Sequence, residues 1–312
     1  MLCDLAHTFP PWVAKLLERD RSLRRNFREE TITDLLMASM VGLKGYGITV
    51  DFPDETKTGG DMEWVFAAPH EINGGRYLRL ILQAKRPRYV KLKSGGYWLY
   101  QHLDHGTPPG QQAQTLVVQA KSPSGGKATL PLYILYHPTS ALDPFNGEPA
   151  IEGVNVVFAD KVAPVVKGGC GSKEKRVTYW RKHFMPLSDI LCWPTVVTGP
   201  PVPPAAEVAE FVVGPAGWMT VQSAAGFHPD LVARRLRQRR QFVSAETPET
   251  LSPPPVIEPA DGIPTEILRG IYGETSEAER KELKRPRVIF STNLRRGDPF
   301  FGQAAERVLT PT

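Results

Sequence analysis

The chain predicts an α/β fold with a central mixed β-sheet flanked by helices, and three observations carry that reading. Two amphipathic helical stretches open the chain, and three strand-like runs follow in direct succession. A helix and two further apolar strand candidates come next. Three strands in a row break the regular βαβ alternation, so the sheet is expected to be mixed rather than all-parallel. Composition then shifts near residue 194, where prolines cluster. The expected organisation is therefore an α/β core over 1–195 and a proline-punctuated region with a basic helix over 196–312.

The elements follow in order. "PPWVAKLLERDRSLRRNFREETITDLLMASMVGL" reads as two consecutive helices. Pro11 suits a first helical turn, where a missing N–H costs nothing. The second helix is expected from about Phe27 to Met40, with Ile32, Leu35, Leu36 and Met40 on its apolar stripe. "YGITVDF" is a short strand, "DMEWVFA" a second one started by the Gly59–Gly60 turn, and "RYLRLILQAK" a third. A loop containing "SGG" and "HGTPPG" leads to a helix, "QQAQTLVVQAK". "LPLYILYH" and "GVNVVFA" are strands, the latter running into "DKVAPVV". Two proline-rich stretches, "PTVVTGPPVPPAAE" and "ETPETLSPPPVIEPADGIPTE", resist regular structure. Between them "HPDLVARRLRQRRQF" reads as a helix; "SEAERKELKR" is a further helix and "RVIFST" a strand.

Bulk properties narrow the class. With 312 residues, 41% of them hydrophobic, the chain can bury a large core. Lys plus Arg total 38 against 33 Asp plus Glu, a net charge of +5 that permits nucleic-acid binding without demanding it. The opening "MLCDLAHTFPPWVAKLL" lacks the pattern of a secretory signal, and no long apolar run suggests a membrane span. The three cysteines, Cys3, Cys170 and Cys192, are odd in number and far apart. That spacing fits a reducing cytoplasm and argues against a disulfide framework or a cysteine-based zinc site.

The chemistry-bearing residues gather around two strands. Strand alternation puts Arg79, Ile81, Gln83 and Lys85 on one face of "RYLRLILQAK" and Leu78, Leu80, Leu82 and Ala84 on the other. Asp61 opens the preceding strand, and Glu63 shares its face. If these two strands are antiparallel, Asp61, Gln83 and Lys85 converge at one sheet edge. Upstream, "EETITD" places Glu30 and Asp34 on one helix face. Glu63 has a structural alternative, an ion pair with an arginine such as Arg79. Glu30 has one too, as a solvated or capping helix acid, Asp34 as a residue that stabilises the helix face or bonds a nearby loop, and Gln83 and Lys85 as a polar strand terminus.

An acidic residue opening one strand and Q-x-K closing the next resembles the PD-(D/E)XK nuclease superfamily, and the Q-x-K form resembles its Mrr-like restriction-endonuclease branch. "REETITD", "TGGDMEW", "LQAKR", "PLYILYH" and "PLSDILCW" together are similar to a group of bacterial nuclease-like proteins. The main motifs cover about residues 28–137. The resemblance implies a restriction-endonuclease-like core and metal-dependent phosphodiester hydrolysis, with Mg²⁺ as cofactor and Mn²⁺ able to replace it. It implies Asp61, Gln83 and the Ala84 carbonyl as metal ligands, with Glu63 or Glu30 as a second carboxylate. Lys85 would orient the attacking water and stabilise charge on the phosphate. Where the family usually has an acid, this chain has Gln83, a neutral donor. That departure favours a rival reading, a nuclease-like fold used as a non-catalytic binding module for nucleic acid or protein.

The resemblance favours DNA as substrate, in restriction or antiphage defence; RNA stays open because nothing here reads a 2′-hydroxyl. A homodimer suits a double-strand cut, which often uses two active sites. Arg76, Arg79, Lys85, Arg86, Arg88, Lys91 and Lys93 are interleaved with Tyr89, Tyr97, Trp98 and Tyr100. Such a mixture can follow a phosphate backbone and stack on bases, or be an ordinary solvated loop. "RRLRQRR" carries Arg234, Arg235, Arg237, Arg239 and Arg240. It reads as a nucleic-acid clamp, a site for an acidic protein partner, or a solvated charge run. "HLDH" offers only two histidines, too few for a metal site, and "KGGCGSK" lacks the spacing of a phosphate loop.

Overall fold

The computed structural model describes residues 2–21, 27–43, 47–53, 62–93, 95–121, 128–146, 148–192, 227–244, 256–283 and 285–297. Helix α1 (Leu2–Asp20) and helix α2 (Glu29–Val41) precede strand β1 (Ile48–Asp51). Then come β2 (Met62–Ala68), β3 (Arg76–Lys85), β4 (Arg88–Leu92), β5 (Gly95–Leu99), α3 (Gln111–Lys121), β6 (Thr129–Tyr136) and β7 (Val154–Phe158). Helix α4 (Ala159–Val166), α5 (Val177–Trp180), β8 (Met185–Pro186) and α6 (Ser188–Leu191) follow. The last described elements are α7 (Pro229–Ser244), β9 (Ala260–Asp261), α8 (Thr265–Tyr272), α9 (Glu277–Glu282) and β10 (Arg287–Ser291).

The sheet is mixed, in the order β1-β10-β2-β3-β6-β7-β8, with β9 added beside β3. β10 runs parallel to β2, and β3 parallel to β6; the remaining pairs are antiparallel. Both faces are covered, which is why the central strands read as near-continuous apolar runs. One core joins Leu78, Leu80, Leu82 and Ala84 of β3 to apolar positions of α1, α2, α6 and α7. A second joins Ile81, Tyr133 and Val157 to α3, α4 and α5. A third packs Val65 and Ala67 of β2 and Ile289 of β10 against Ile267 of α8.

The expected boundary at 195/196 is not a boundary of the sheet. β10 lies between β1 and β2, and α7 packs on β2 and β3. The same region is anchored by charge: His228 Nε2 lies 3.1 Å from the buried Glu71 carboxylate, and Arg76 donates to Asp230 at 2.8 Å. A strand that completes a sheet cannot be detached without exposing its neighbours' ladder groups and the apolar face beneath them.

Three local expectations change. Helix α1 starts at Leu2 and carries Pro10 and Pro11 inside it, instead of beginning at Pro11. Leu2, Ala6, Phe9, Val13 and Leu17 form one buried stripe that runs straight through the prolines, and its burial outweighs the lost N–H groups. The "SGG" loop is instead the end of a two-stranded ribbon, β4 paired with β5. Gly96 suits this ribbon, because a Cβ there would stand 2.6 Å from the Val90 carbonyl oxygen, a backbone atom that cannot swing aside. Finally, Cys3 and Cys192 are bonded to each other despite 189 residues of separation. Packing of α1 against α6 brings their Cα atoms to 4.2 Å, a proximity that sequence distance conceals.

Candidate active site at the end of the central strand

The period of β3 sets the site. Leu82 and Ala84 face α1 and α2, so Gln83 and Lys85, in step with Ile81, face the side of α3. Both polar side chains are buried, Gln83 at 2% exposure and Lys85 at 7%. Lys85 Nζ donates to Gln112 Oε1 of α3 at 2.8 Å. Gln83 and Lys85 lie opposite Tyr133 and Leu135 of the parallel β6. The expected shared face of Gln83 and Lys85 is thus present, and Gln112 is a partner that the sequence pattern did not single out.

Helix α2 begins at the same end of the sheet, on the other face. Thr33 Oγ1 lies 3.1 Å from the Tyr136 hydroxyl, and Tyr136 follows Leu135, the partner of Lys85. Glu30 stands one helical turn before Asp34. Burial raises the Asp34 carboxyl above its ordinary range, and the Glu30 charge beside it adds to the rise. Glu30 Oε2 is buried with no hydrogen-bond partner among the described residues. Two carboxyls that repel each other, one with an unsatisfied oxygen, form an arrangement that a cation or a proton relieves.

Glu63 is committed elsewhere. Its carboxylate lies 3.0 Å from Arg79 Nε and 3.4 Å from Arg287 Nε, all three side chains being largely buried. The structural alternative therefore holds, and two guanidiniums occupy the carboxylate that a metal would need. Asp61 lies outside the described residues. Its covalent neighbour Met62 is paired with Leu82, the residue before Gln83.

Toward a Mg²⁺ ion the described residues fit in part. Gln83 carries an amide oxygen on the α3 side of the sheet, and Glu30 carries a buried oxygen without a hydrogen-bond partner among the described residues on α2, which packs on the other face. Glu63 does not fit, and the carboxylate that would complete the set is Asp61.

The ribbon starts three residues after Lys85. Tyr89 and Trp98 pair across it with ring centroids 5.2 Å apart, and the Arg21 guanidinium lies over both rings at 5.3 and 5.1 Å. A cavity of about 290 Å³ opens here between Asp20, Arg21, Arg86, Arg88, Tyr89 and Trp98. Arg86 pairs with Asp20 at 3.0 Å, whereas Arg88 donates to the neutral Gln101 at 3.1 Å. Among the described residues, no carboxylate is ion-paired with Arg88, Lys91 or Lys93.

The arginines of α7 behave differently. Arg239 Nε lies 2.7 Å and Arg235 Nη2 3.5 Å from the buried Asp189. Arg240 pairs with Asp160 and lies over the Phe158 ring. Arg237 donates to the Ile257 carbonyl at 2.7 Å. Arg234 is half-buried. Most of this charge therefore binds the helix to its own fold.

These features come with one family relationship. The chain belongs to the family of unknown function DUF6615, which it matches over residues 2–296. No curated protein and no solved structure matches it. The DUF6615 match takes in α7 and β10 as well as β2 and β3, in keeping with a sheet that draws on both ends of the chain. No helix among the described residues is long and apolar enough to cross a membrane.

Proposed function

We propose that this chain is a divalent-metal-dependent nuclease that hydrolyses phosphodiester bonds, with DNA the favoured substrate. The observation that carries the reading is the buried Lys85 at the last position of a strand covered on both faces, in step with the buried Gln83. An ammonium held at a strand end in a largely dehydrated setting stabilises phosphate charge more strongly than one in water. A Mg²⁺ ion, when bound, would supply an activated water and neutralise phosphate charge. Asp61, the Gln83 amide oxygen and the Ala84 carbonyl would hold it, and Glu30 is the further carboxylate within the same sheet end. Gln112 helps to fix the Lys85 ammonium through a hydrogen bond of 2.8 Å. From there Lys85 orients the attacking water and stabilises the charge that develops on the phosphate. The ribbon supports the substrate class, since it presents Arg88, Lys91 and Lys93 beside a tilted pair of aromatic rings, a mixture that suits a phosphate backbone with bases to contact. Restriction or antiphage defence is the setting this chemistry suits.

Gln83 favours a second reading, a non-catalytic nucleic-acid-binding module, because a neutral ligand weakens the metal field. One assay separates the two: purified chain is incubated with supercoiled plasmid and with RNA, in Mg²⁺, in Mn²⁺ and in chelator. Nuclease action predicts metal-dependent cleavage that Asp61→Asn abolishes without lowering the melting temperature. Binding without cleavage of either nucleic acid in either metal would establish the module instead. Gln83→Glu adds a direct check of the ligand set, since a carboxylate there should retain or tighten Mn²⁺ binding.

A further inference from the structure

The Cys3–Cys192 pair belongs to neither the Lys85 site nor the ribbon. Cys3 is at the start of α1, roughly 25 Å along the helix from Asp20, which lines the ribbon cavity. The sulfurs do not stand alone. A ring nitrogen of His7 and both sulfurs lie within 4.8 Å of one another, and among the described residues this is the one group of three such donors so placed. Cys3 and His7 are at i and i+4, so they share a face of α1, and Cys192 follows α6, which packs on that helix. Tetrahedral zinc, with bonds of about 2.0–2.3 Å, needs donors roughly 3.5–4 Å apart, so reduction must first part the two sulfurs within the 4.8 Å span of the cluster.

A disulfide asks nothing of His7. An exposed histidine converging on both sulfurs is what a metal site requires, and soft thiolates with an imidazole select a zinc-class ion over Mg²⁺.

We propose that, with its thiols reduced, the chain binds a zinc-class divalent cation through Cys3, His7 and Cys192, with water in the fourth position. The ion clips the start of α1 to the end of α6. The bond between the sulfurs is the oxidised form of the same pair, and it excludes the metal because a disulfide sulfur is no longer a thiolate.

The test uses the full chain, free of any affinity tag, prepared with a phosphine reductant and zinc and then dialysed. Elemental analysis should find about one zinc per chain in the wild type, and Cys170→Ser should leave that value unchanged. His7→Ala and Cys192→Ser should each lower zinc affinity by at least about 100-fold, since a lost ligand costs more than the 10–100-fold of a lost supporting contact. Cobalt in place of zinc should give a thiolate-to-metal absorption band that His7→Ala alters. The melting temperature of each variant, taken without metal, guards against simple misfolding. A folded, reduced wild type with three titratable thiols and no bound zinc overturns the proposal. So does a chain whose mass stays two hydrogens low under reductant, with His7→Ala indistinguishable from wild type, because the pair would then be a disulfide alone. Neither result bears on cleavage of nucleic acid, so this proposal and the nuclease reading stand or fall separately.

Discussion

The ribbon β4–β5 and helix α7 carry similar basic runs and put them to opposite use. On α7, Arg235 and Arg239 converge on the buried Asp189, and Arg240 on Asp160. On the ribbon, Arg88 is held by the amide of Gln101 and Lys91 is exposed. What separates the two is the chemistry of the partner. A carboxylate cancels the charge and makes the arginine part of the fold, while a neutral amide positions the cation and leaves its field for an incoming anion. Lys85 donates to an amide too, that of Gln112, as one of its contacts.

Glu63 gives the most severe test of charge used for folding. Glu63→Gln leaves Arg79 and Arg287 without their shared carboxylate in a largely buried setting. Breaking a buried pair costs about 3–5 kcal/mol where the partner is left uncompensated; Arg79 keeps Glu266 at 3.4 Å, so urea unfolding should show a loss toward the lower end of that range with or without Mg²⁺. A variant of unchanged stability that had lost metal binding would return Glu63 to the metal site.

Lys85→Ala tests the catalytic role proposed for that ammonium. Loss of one electrostatic contact that strengthens in the transition state typically slows the chemical step by about 10²–10³-fold. DNA affinity, shared among many cations, should fall by about one phosphate contact. Single-turnover cleavage at saturating protein, beside binding measured in Ca²⁺, reads the two effects. A variant that cuts within about threefold of wild type, far short of that loss, removes Lys85 from catalysis.

How far the sequence shows this contrast depends on range. The period of β3 alone places Gln83 and Lys85 on one face, because alternation is local. The two helices before β1, the order of strands and the basic helix are also local patterns, and they are present. The fate of each arginine is not local. Asp189 and Asp160 lie 46 and 80 residues from the arginines they bind. Arg287, the second partner of Glu63, arrives on β10, a strand inserted between β1 and β2 from the far end of the described chain. Pro10 and Pro11 hide the true start of α1, and Gly95 and Gly96 read as loop where they permit a tight ribbon. Asp61, on which the metal reading leans most, lies outside the described residues.

Asp189→Ala sharpens the comparison at α7. The change leaves Arg235 and Arg239 without their acid, and α6 loses its charged contact with α7. Asp189 is 4% exposed, but the Arg239 side chain is 44% exposed, so the buried-pair cost must be discounted for screening. A loss of about 1–3 kcal/mol is expected, visible as a lower urea midpoint at constant slope. Nucleic-acid affinity should not fall, and the freed arginines would if anything raise it. A fall in affinity without loss of stability would mean that α7, with its acid partner, is part of the binding surface.

The smallest effect is the most direct comparison of the two regions. Arg88, Lys91 and Lys93 changed together to Gln remove three ribbon cations that no described carboxylate compensates, and they break no ion pair. Each phosphate contact contributes about 0.9 to the slope of log affinity against log salt on duplex DNA, so the slope should fall by up to about 3. Stability should stay within about 0.5 kcal/mol of wild type, as for surface substitutions away from special features. The parallel change on α7, Arg235, Arg239 and Arg240 to Gln, predicts the reverse: an unchanged slope and a clear loss of stability, because Asp189 and Asp160 are left without their cations. Measuring both triple variants by salt titration and by unfolding gives four numbers, and the two regions must cross over. If the α7 variant flattens the salt dependence while the ribbon variant leaves it untouched, partner chemistry does not decide which cations meet nucleic acid, and the binding surface belongs on the helix.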